Sequence, residues 1–122
     1  MFLLVGAGGF FGSMARYFLS GMVTQTSHAS RFPWGTVVVN LVGCLAIGIL
    51  AGAAEHRHIL TAGSRAFLLT GVLGGFTTFS AFAYETYFLG REHLWLAGAA
   101  NVAAQVVLGL GAVWLGHRLV LG

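Results

Sequence analysis

The sequence predicts an all-α membrane protein in which four transmembrane helices form one domain, residues 1–122. Of its 122 residues, 57% are hydrophobic and only 7% are charged, whereas charged residues make up about 25% of an ordinary soluble domain. The mean hydropathy is +0.86. At about 20 residues for each helical crossing, with short loops between crossings, a chain of this length accommodates four spans.

Each span follows from an apolar segment between polar loops. Span 1 covers residues 2–23, and its small residues Gly8, Gly12 and Ala15 share a face that favours close helix packing. A polar loop at residues 24–32 leads to Pro33, the only proline, which suits the first turn of a helix. Span 2 covers residues 34–54, span 3 residues 64–89 and span 4 residues 94–115, with short charged loops between them.

Span 3 contains a stretch whose composition disfavours a continuous helix. Residues 71–82 read GVLGGFTTFSAF, and each interior glycine costs about 1 kcal/mol relative to alanine. Irregular backbone at membrane depth is tolerated only inside protein or along a wet cavity. We therefore expect span 3 to unwind at residues 74–77. Carbonyl oxygens released there would suit a hard monovalent cation.

The charged residues exclude some functions and leave the orientation in the membrane open. Six arginines and three glutamates are spread over several loops, unlike the clustered basic face of a nucleic-acid-binding protein. Four spans place both termini on one side, with Arg57, Arg65 and Arg118. The other side has Arg31 and Arg91, with Arg16 nearer to it. Because this balance gives no clear positive-inside signal, insertion in both directions and an antiparallel homodimer are permitted, although many four-span proteins insert one way.

Two ionisable residues lie within predicted spans. Arg16 lies about two-thirds along span 1, where a buried arginine costs at least 2.5–3.5 kcal/mol on insertion scales, so it should reach a partner, a cavity or the headgroups. It therefore either extends to the membrane surface or forms a cationic vestibule for anions. Glu85, near the end of span 3, either holds a structural network together or relays protons.

Uncharged polar and aromatic side chains recur at helical spacing. Thr36 and Asn40 share one face of span 2 because they are four residues apart, and Asn101 and Gln105 do so on span 4. Each pair either bridges helices or lines a narrow path for a small anion. Phe79 and Phe82 share a face of span 3. They either pack in a core or present the positive edges of their rings to a dehydrated anion.

Three motifs resemble those of one known family, the Fluc (CrcB) family of bacterial fluoride channels. They are residues 9–17 (GFFGSMARY), residues 35–43 (GTVVVNLVG) and residues 71–82. Their order, spacing and placement on spans 1, 2 and 3 all match. The third motif is the most specific, and the resemblance extends over essentially the whole chain.

The resemblance implies passive fluoride export across the bacterial plasma (inner) membrane by a protein without enzymatic activity. It implies an antiparallel, dual-topology homodimer in membrane lipid, with two fluoride pathways. A structural Na⁺ on the two-fold axis would be held by the backbone carbonyls of Gly74 and Thr77. The expected pathway residues are Arg16, Thr36, Asn40, Phe79, Ser80, Phe82, Asn101 and Gln105, with Glu85 as a structural or gating acid.

This chain departs from the family pattern at two places. Span 4 of family members commonly carries a tyrosine and a hydroxyl residue along the polar track, where this chain has Asn101 and Gln105 there or nearby. On span 3, Ala81 and Ala83 replace small hydroxyl residues. Asn101 and Gln105 are still hydrogen-bond donors, whereas the two alanines thin the polar wall on span 3.

Two other functions compete with the channel hypothesis. A small multidrug-type, proton-coupled exporter has a similar length and number of spans, but it needs a membrane-embedded acid in span 1. Span 1 has Arg16 and no acid. An assembly subunit without transport activity would tolerate replacement of Asn40, Phe79 or Phe82 without a transport phenotype.

Overall fold

The computed structural model describes residues 1–27 and 30–122, and all regular structure in these ranges is helical. Two residues of the predicted first loop, His28 and Ala29, lie outside them. Helix α1 is Phe2–Thr26 and α2 is Trp34–His56. Helix α3 spans residues 62–76 and includes a wider, π-helical part at Ala66–Leu73. Helix α4 is Phe79–Arg91, and α5 is Trp95–Leu121 with a π-helical part at Ala104–Leu108.

Four helical segments are long and apolar enough to cross a membrane, which confirms the predicted number of spans. They are Phe2–Thr26, Trp34–His56, Ala62–Arg91 and Trp95–Leu121. Each segment ends two to six residues beyond the predicted limit. The first two begin at the predicted residue, the third begins two residues earlier and the fourth begins one residue later. Apolar composition marks the depth of the membrane, whereas a helix continues into the headgroup region, where polar side chains can remain hydrated. Composition therefore underestimates the length of these helices.

Glycines bring two pairs of helices into backbone contact. A Cβ atom at Gly75 of α3 would lie 2.7 Å from the carbonyl oxygen of Gly9 in α1. On the other side of the molecule, Gly48 of α2 and Gly116 of α5 each leave no room for a Cβ against the partner helix. Without a hydrophobic driving force in lipid, such close approach supplies the dispersion contacts that hold membrane helices together.

Gly12→Ala is expected to destabilise the protein by about 1–3 kcal/mol, since overpacking a tight contact forces backbone shifts. The new Cβ would overlap the carbonyl oxygen of Val72 and lie 2.9 Å from the backbone nitrogen of Phe76. The measurement is the free energy of unfolding in mixed micelles. Gly21→Ala is the matched control, because its Cβ would meet no atom within 4 Å. Equal stability of the two variants would contradict the packing described.

Two residues with extended backbone separate α3 from α4. Thr77 has φ −85° and ψ 156°, and Thr78 has φ −147° and ψ 118°. Of residues 74–77, the stretch predicted to unwind, only Thr77 has extended backbone, whereas Gly74, Gly75 and Phe76 are helical. The helix persists through them because the Thr77 N–H still donates to the Leu73 carbonyl at 2.9 Å. Helix α4 then begins with Thr78 as its cap.

Candidate functional site

Asn40 of α2 pairs with the backbone at this extended segment. Its Oδ1 accepts the Thr78 N–H at 2.9 Å, and its Nδ2 donates to the Thr78 carbonyl at 2.9 Å. The side-chain amide thus takes the place of a backbone partner for a residue outside the helical ladder. Buried backbone groups must be paired, so these two hydrogen bonds stabilise the extended conformation at membrane depth.

A continuous chain of hydrogen bonds runs from Asn40 along α5 to α4. Asn40 Nδ2 donates to Gln105 Oε1 at 2.6 Å, and Gln105 Nε2 donates to Asn101 Oδ1 at 2.9 Å. Asn101 Nδ2 donates to Thr86 Oγ1 at 2.8 Å, and Thr86 Oγ1 donates to the Phe82 carbonyl at 2.7 Å. The side chain of Asn101 is fully buried. The predicted i, i+4 pair on span 4 is thus brought into one network with Asn40.

The backbone of Thr78 fixes the direction of this chain. Its N–H must face Asn40 Oδ1 and its C=O must face Asn40 Nδ2, so only one orientation of the Asn40 amide fits. Because Asn40 then directs an N–H toward Gln105, Gln105 must present its Oε1. With Gln105 Oε1 facing Asn40, Gln105 Nε2 faces Asn101 Oδ1, and Asn101 Nδ2 faces Thr86 Oγ1. Gln105 Nε2 carries two N–H groups, and Asn101 accepts one of them. The arrangement places amide N–H donors at the junction of α2, α4 and α5.

Phe79 and Phe82 lie beside this junction, at the start of α4. Their ring centroids are 5.6 Å apart and the rings are tilted by 56°. Phe79 is 78% exposed in the single chain, whereas Phe82 is half-buried. Both rings line an open cavity of about 420 Å³, together with Asn40, Thr78 and Gln105. The structure therefore brings together the predicted amides and the predicted aromatic residues on one cavity wall.

Thr36 and Glu85 meet at the floor of a second cavity, of about 440 Å³. Thr36 Oγ1 donates to Glu85 Oε1 at 2.9 Å. Glu85 Oε2 is buried and has no hydrogen-bond partner among the described residues. The remaining walls carry Arg31 and a set of hydroxyl side chains, namely Ser20, Thr24, Ser27 and Ser30. Aromatic and aliphatic side chains also line this cavity, which lies near the end of the bundle where α1 ends and α2 begins.

Two other predicted residues, Arg16 and Ser80, lie outside these clusters. Arg16 is not among the residues that line either cavity; its Nε donates to the Gly75 carbonyl at 3.1 Å, which ties α1 to α3. Ser80 is exposed, and its Oγ lies 3.4 Å from Thr78 Oγ1. Arg16 therefore has a backbone partner within the protein and lies outside the walls of both cavities.

The carbonyls of Gly74 and Thr77 have lost their usual helical donors. In a continuous helix the Thr78 N–H would donate to Gly74, and the Ala81 N–H would donate to Thr77. Here Thr78 donates to Asn40 Oδ1, and Ala81 donates to Thr78 Oγ1 at 3.2 Å. The N–H groups that would bond these two carbonyls in a continuous helix therefore donate to side-chain oxygens instead.

Sequence reasoning missed two members of the site, Thr78 and Thr86. The contribution of Thr78 is mainly through its backbone, which leaves no side-chain signature in the sequence. Thr86 carried a detectable signal, because it follows Phe82 by four residues and so lies on the same face of α4. A hydroxyl at that position can accept from a facing amide while donating to the preceding turn, as Thr86 does.

Comparison with known proteins confirms the resemblance. The pattern of the family described as CrcB-like protein, Camphor Resistance (CrcB), matches residues 3–117. The fluoride-specific ion channel FluC of Methylobacillus flagellatus is 48% identical over 118 residues, which cover 97% of this chain and 92% of that protein. FluC of Opitutus terrae is 47% identical, covering 100% and 93%. With four apolar helices, this is a multi-pass inner-membrane protein and not an enzyme. The chain belongs to the CrcB family.

Proposed function

We propose that this protein is a fluoride-selective channel that lets fluoride leave the bacterial cytoplasm passively and so lowers its toxicity. The observation that carries the proposal is the near-full-length similarity, at 47–48% identity, to proteins named fluoride-specific ion channels. The arrangement of amide donors and phenyl rings on one cavity wall supports it chemically. A small anion that enters a narrow path must exchange its hydration shell for such groups.

The pathway that we propose passes Asn40, Gln105 and the two phenylalanines at the start of α4. Fluoride accepts hydrogen bonds only, so it would take the place of Gln105 Oε1 as acceptor from Asn40 and would receive a second N–H from Gln105 Nε2. The edges of the Phe79 and Phe82 rings carry positive charge and suit an anion that has lost water.

The remaining predicted residues extend this pathway. Thr36 and Glu85 would lie at its approach from the 440 Å³ cavity, where Glu85 either supports Thr36 or acts as a gate. Ser80 would lie beside the aromatic pair, and Asn101 would orient Gln105 through their hydrogen bond. Arg16 would act on the pathway indirectly, by holding α1 against the Gly75 carbonyl.

We further propose that the channel is an antiparallel, dual-topology homodimer with two such pathways. Phe79 is 78% exposed, and the 420 Å³ cavity that it lines is open on the surface of the single chain. A second copy would complete that wall. The test is to cross-link the protein in membranes that contain both a tagged and an untagged version of the chain, and to look for a dimer that contains both. Recovery of monomer alone under conditions that capture a known membrane dimer would contradict it.

A structural Na⁺ between the two copies is also proposed, with Gly74 and Thr77 supplying carbonyl oxygens from each. The support is that the N–H groups that normally bond these carbonyls donate to Asn40 and Thr78 instead. A high-resolution map of the protein in sodium should then contain density about 2.3–2.6 Å from these oxygens, the distance range of hard cations of similar size. A two-fold axis that passes elsewhere would rule out the site.

Fluoride efflux from liposomes that contain the purified protein is the decisive experiment. A fluoride electrode outside the liposomes should record rapid release when the membrane potential is clamped, while chloride-loaded liposomes release nothing above background. Efflux equal to that of protein-free liposomes would refute the channel proposal. A fluoride flux that needs an imposed proton gradient would instead favour a proton-coupled exporter.

A further inference from the structure

We propose that Glu55, His56 and His117 form a binding site for a transition-metal ion with the preferences of Zn²⁺. The first two residues end α2 and the third lies near the end of α5, so they meet although 62 residues separate Glu55 from His117. The site is at the end of the bundle that is opposite to Arg31, away from the proposed fluoride pathway. The inference does not depend on the proposed channel function.

The three side chains have the geometry that such an ion requires. Each offers one ligand atom, and these atoms all lie within 4.8 Å of one another. His117 Nε2 and Glu55 Oε2 are 3.3 Å apart, and the centroids of the two imidazole rings are 5.3 Å apart. Donors at about 2.0–2.2 Å from a tetrahedral Zn²⁺ are separated by roughly 3.3 Å. Small side-chain rotations would therefore bring the set around one ion.

The ligand set favours an ion of the zinc class over hard cations. Two imidazoles and one carboxylate are typical of zinc sites with three protein ligands, in which water occupies the fourth position. Mg²⁺ prefers oxygen ligands in octahedral geometry and would gain little from the imidazoles. Glu55 and His56 are exposed and His117 is half-buried, so an ion can reach the site from solution.

Two closely packed helices hold the ligands in position. A Cβ at Gly52 would lie 3.3 Å from His117 Cδ2, so the glycine lets the imidazole lie directly against α2. Gly48, one turn before Gly52 in α2, and Gly116, next to His117 in α5, allow backbone contact between the two helices. A rigid scaffold lowers the cost of ordering ligands when the ion binds.

The neighbouring arginines are engaged away from the three ligands. Arg57 Nη2 donates to the Val120 carbonyl at 3.5 Å. The guanidinium of Arg118 lies over the Trp114 ring, 5.7 Å from its centroid. Neither interaction uses the Glu55 carboxylate, whose partner is His117. A divalent ion would therefore compete with one weak, exposed pair rather than with an arginine bridge.

The test is isothermal titration of tag-free protein in detergent with Zn²⁺ alone. We expect one ion per chain. Glu55→Gln and His117→Ala should each weaken binding by at least about tenfold, because even the partners that orient metal ligands contribute 10–100-fold. His58→Asn is the matched control. It removes a nearby histidine outside the cluster, and asparagine tolerates the positive φ of 51° at that position.

A thermal readout separates metal binding from loss of fold. Zn²⁺ should raise the melting temperature of the unaltered protein and of His58→Asn, because an ion that bridges α2 and α5 binds only the folded state. At the same Zn²⁺ concentration, Glu55→Gln and His117→Ala should each show a smaller rise. Glu55→Gln keeps the shape of the side chain should the alanine variant not fold. Absence of Zn²⁺ binding, or an unchanged affinity in both variants, would overturn the proposal.

Discussion

Replacing Asn40 with alanine is expected to lower the rate of fluoride efflux by about 10- to 150-fold. The estimate follows because a hydrogen bond to a charged group is worth about 1.5–3 kcal/mol, and each 1.36 kcal/mol changes a rate tenfold. Asn40 contributes the N–H that now donates to Gln105, and the same amide holds both backbone groups of Thr78. The measurement is the initial efflux rate from liposomes, normalised to reconstituted protein.

Val38→Ala is the matched control for this variant. It truncates a half-buried side chain on the same helix, two residues away and so on the opposite side. We expect it to keep the efflux of the unaltered protein, which would exclude a general effect of weakened packing in α2. If Asn40→Ala folds as a monodisperse protein and transports fluoride at the unaltered rate, Asn40 has no part in the pathway.

Hydropathy was sufficient to predict the number of spans, because lipid imposes apolar composition on every crossing. It could not locate the helix ends. Helix α2 continues through Glu55 to His56, and the fourth span continues through His117 and Arg118 to Leu121. These residues lie where water satisfies their charges, so nothing in their polarity distinguishes a last helical turn from a loop.

The site was predictable where it depends on spacing along one helix, and not where it depends on contacts between helices. The interval of four residues placed Asn101 and Gln105 on one face, and they are hydrogen-bonded. The same reasoning could not reveal that Asn40 meets the backbone of Thr78, since a carbonyl and an N–H are present at nearly every residue. Of the residues expected to unwind, only Thr77 has extended backbone, because the Thr77 N–H bond to Leu73 outweighs the low helix propensity of the two glycines.

Replacing Phe82 with isoleucine is expected to lower fluoride efflux by about 30-fold, if the ring edge stabilises a dehydrated anion as strongly as a ring face stabilises a desolvated cation, about 2 kcal/mol. Isoleucine keeps an apolar side chain at this position but has no ring quadrupole. Phe82 lines the same cavity as Asn40 and Gln105, 5.6 Å from the ring of Phe79. The measurement is again the normalised initial rate from liposomes.

Tyr87→Ile is the control that separates ring chemistry from packing in α4. Tyr87 is 64% exposed and is not among the residues that line either cavity. Loss of this ring should leave efflux unchanged. Equal losses in the two variants would assign the effect to destabilisation of α4. A normal rate for Phe82→Ile would instead mean that the aromatic pair only fills space, because fluoride would then pass without help from the ring edges.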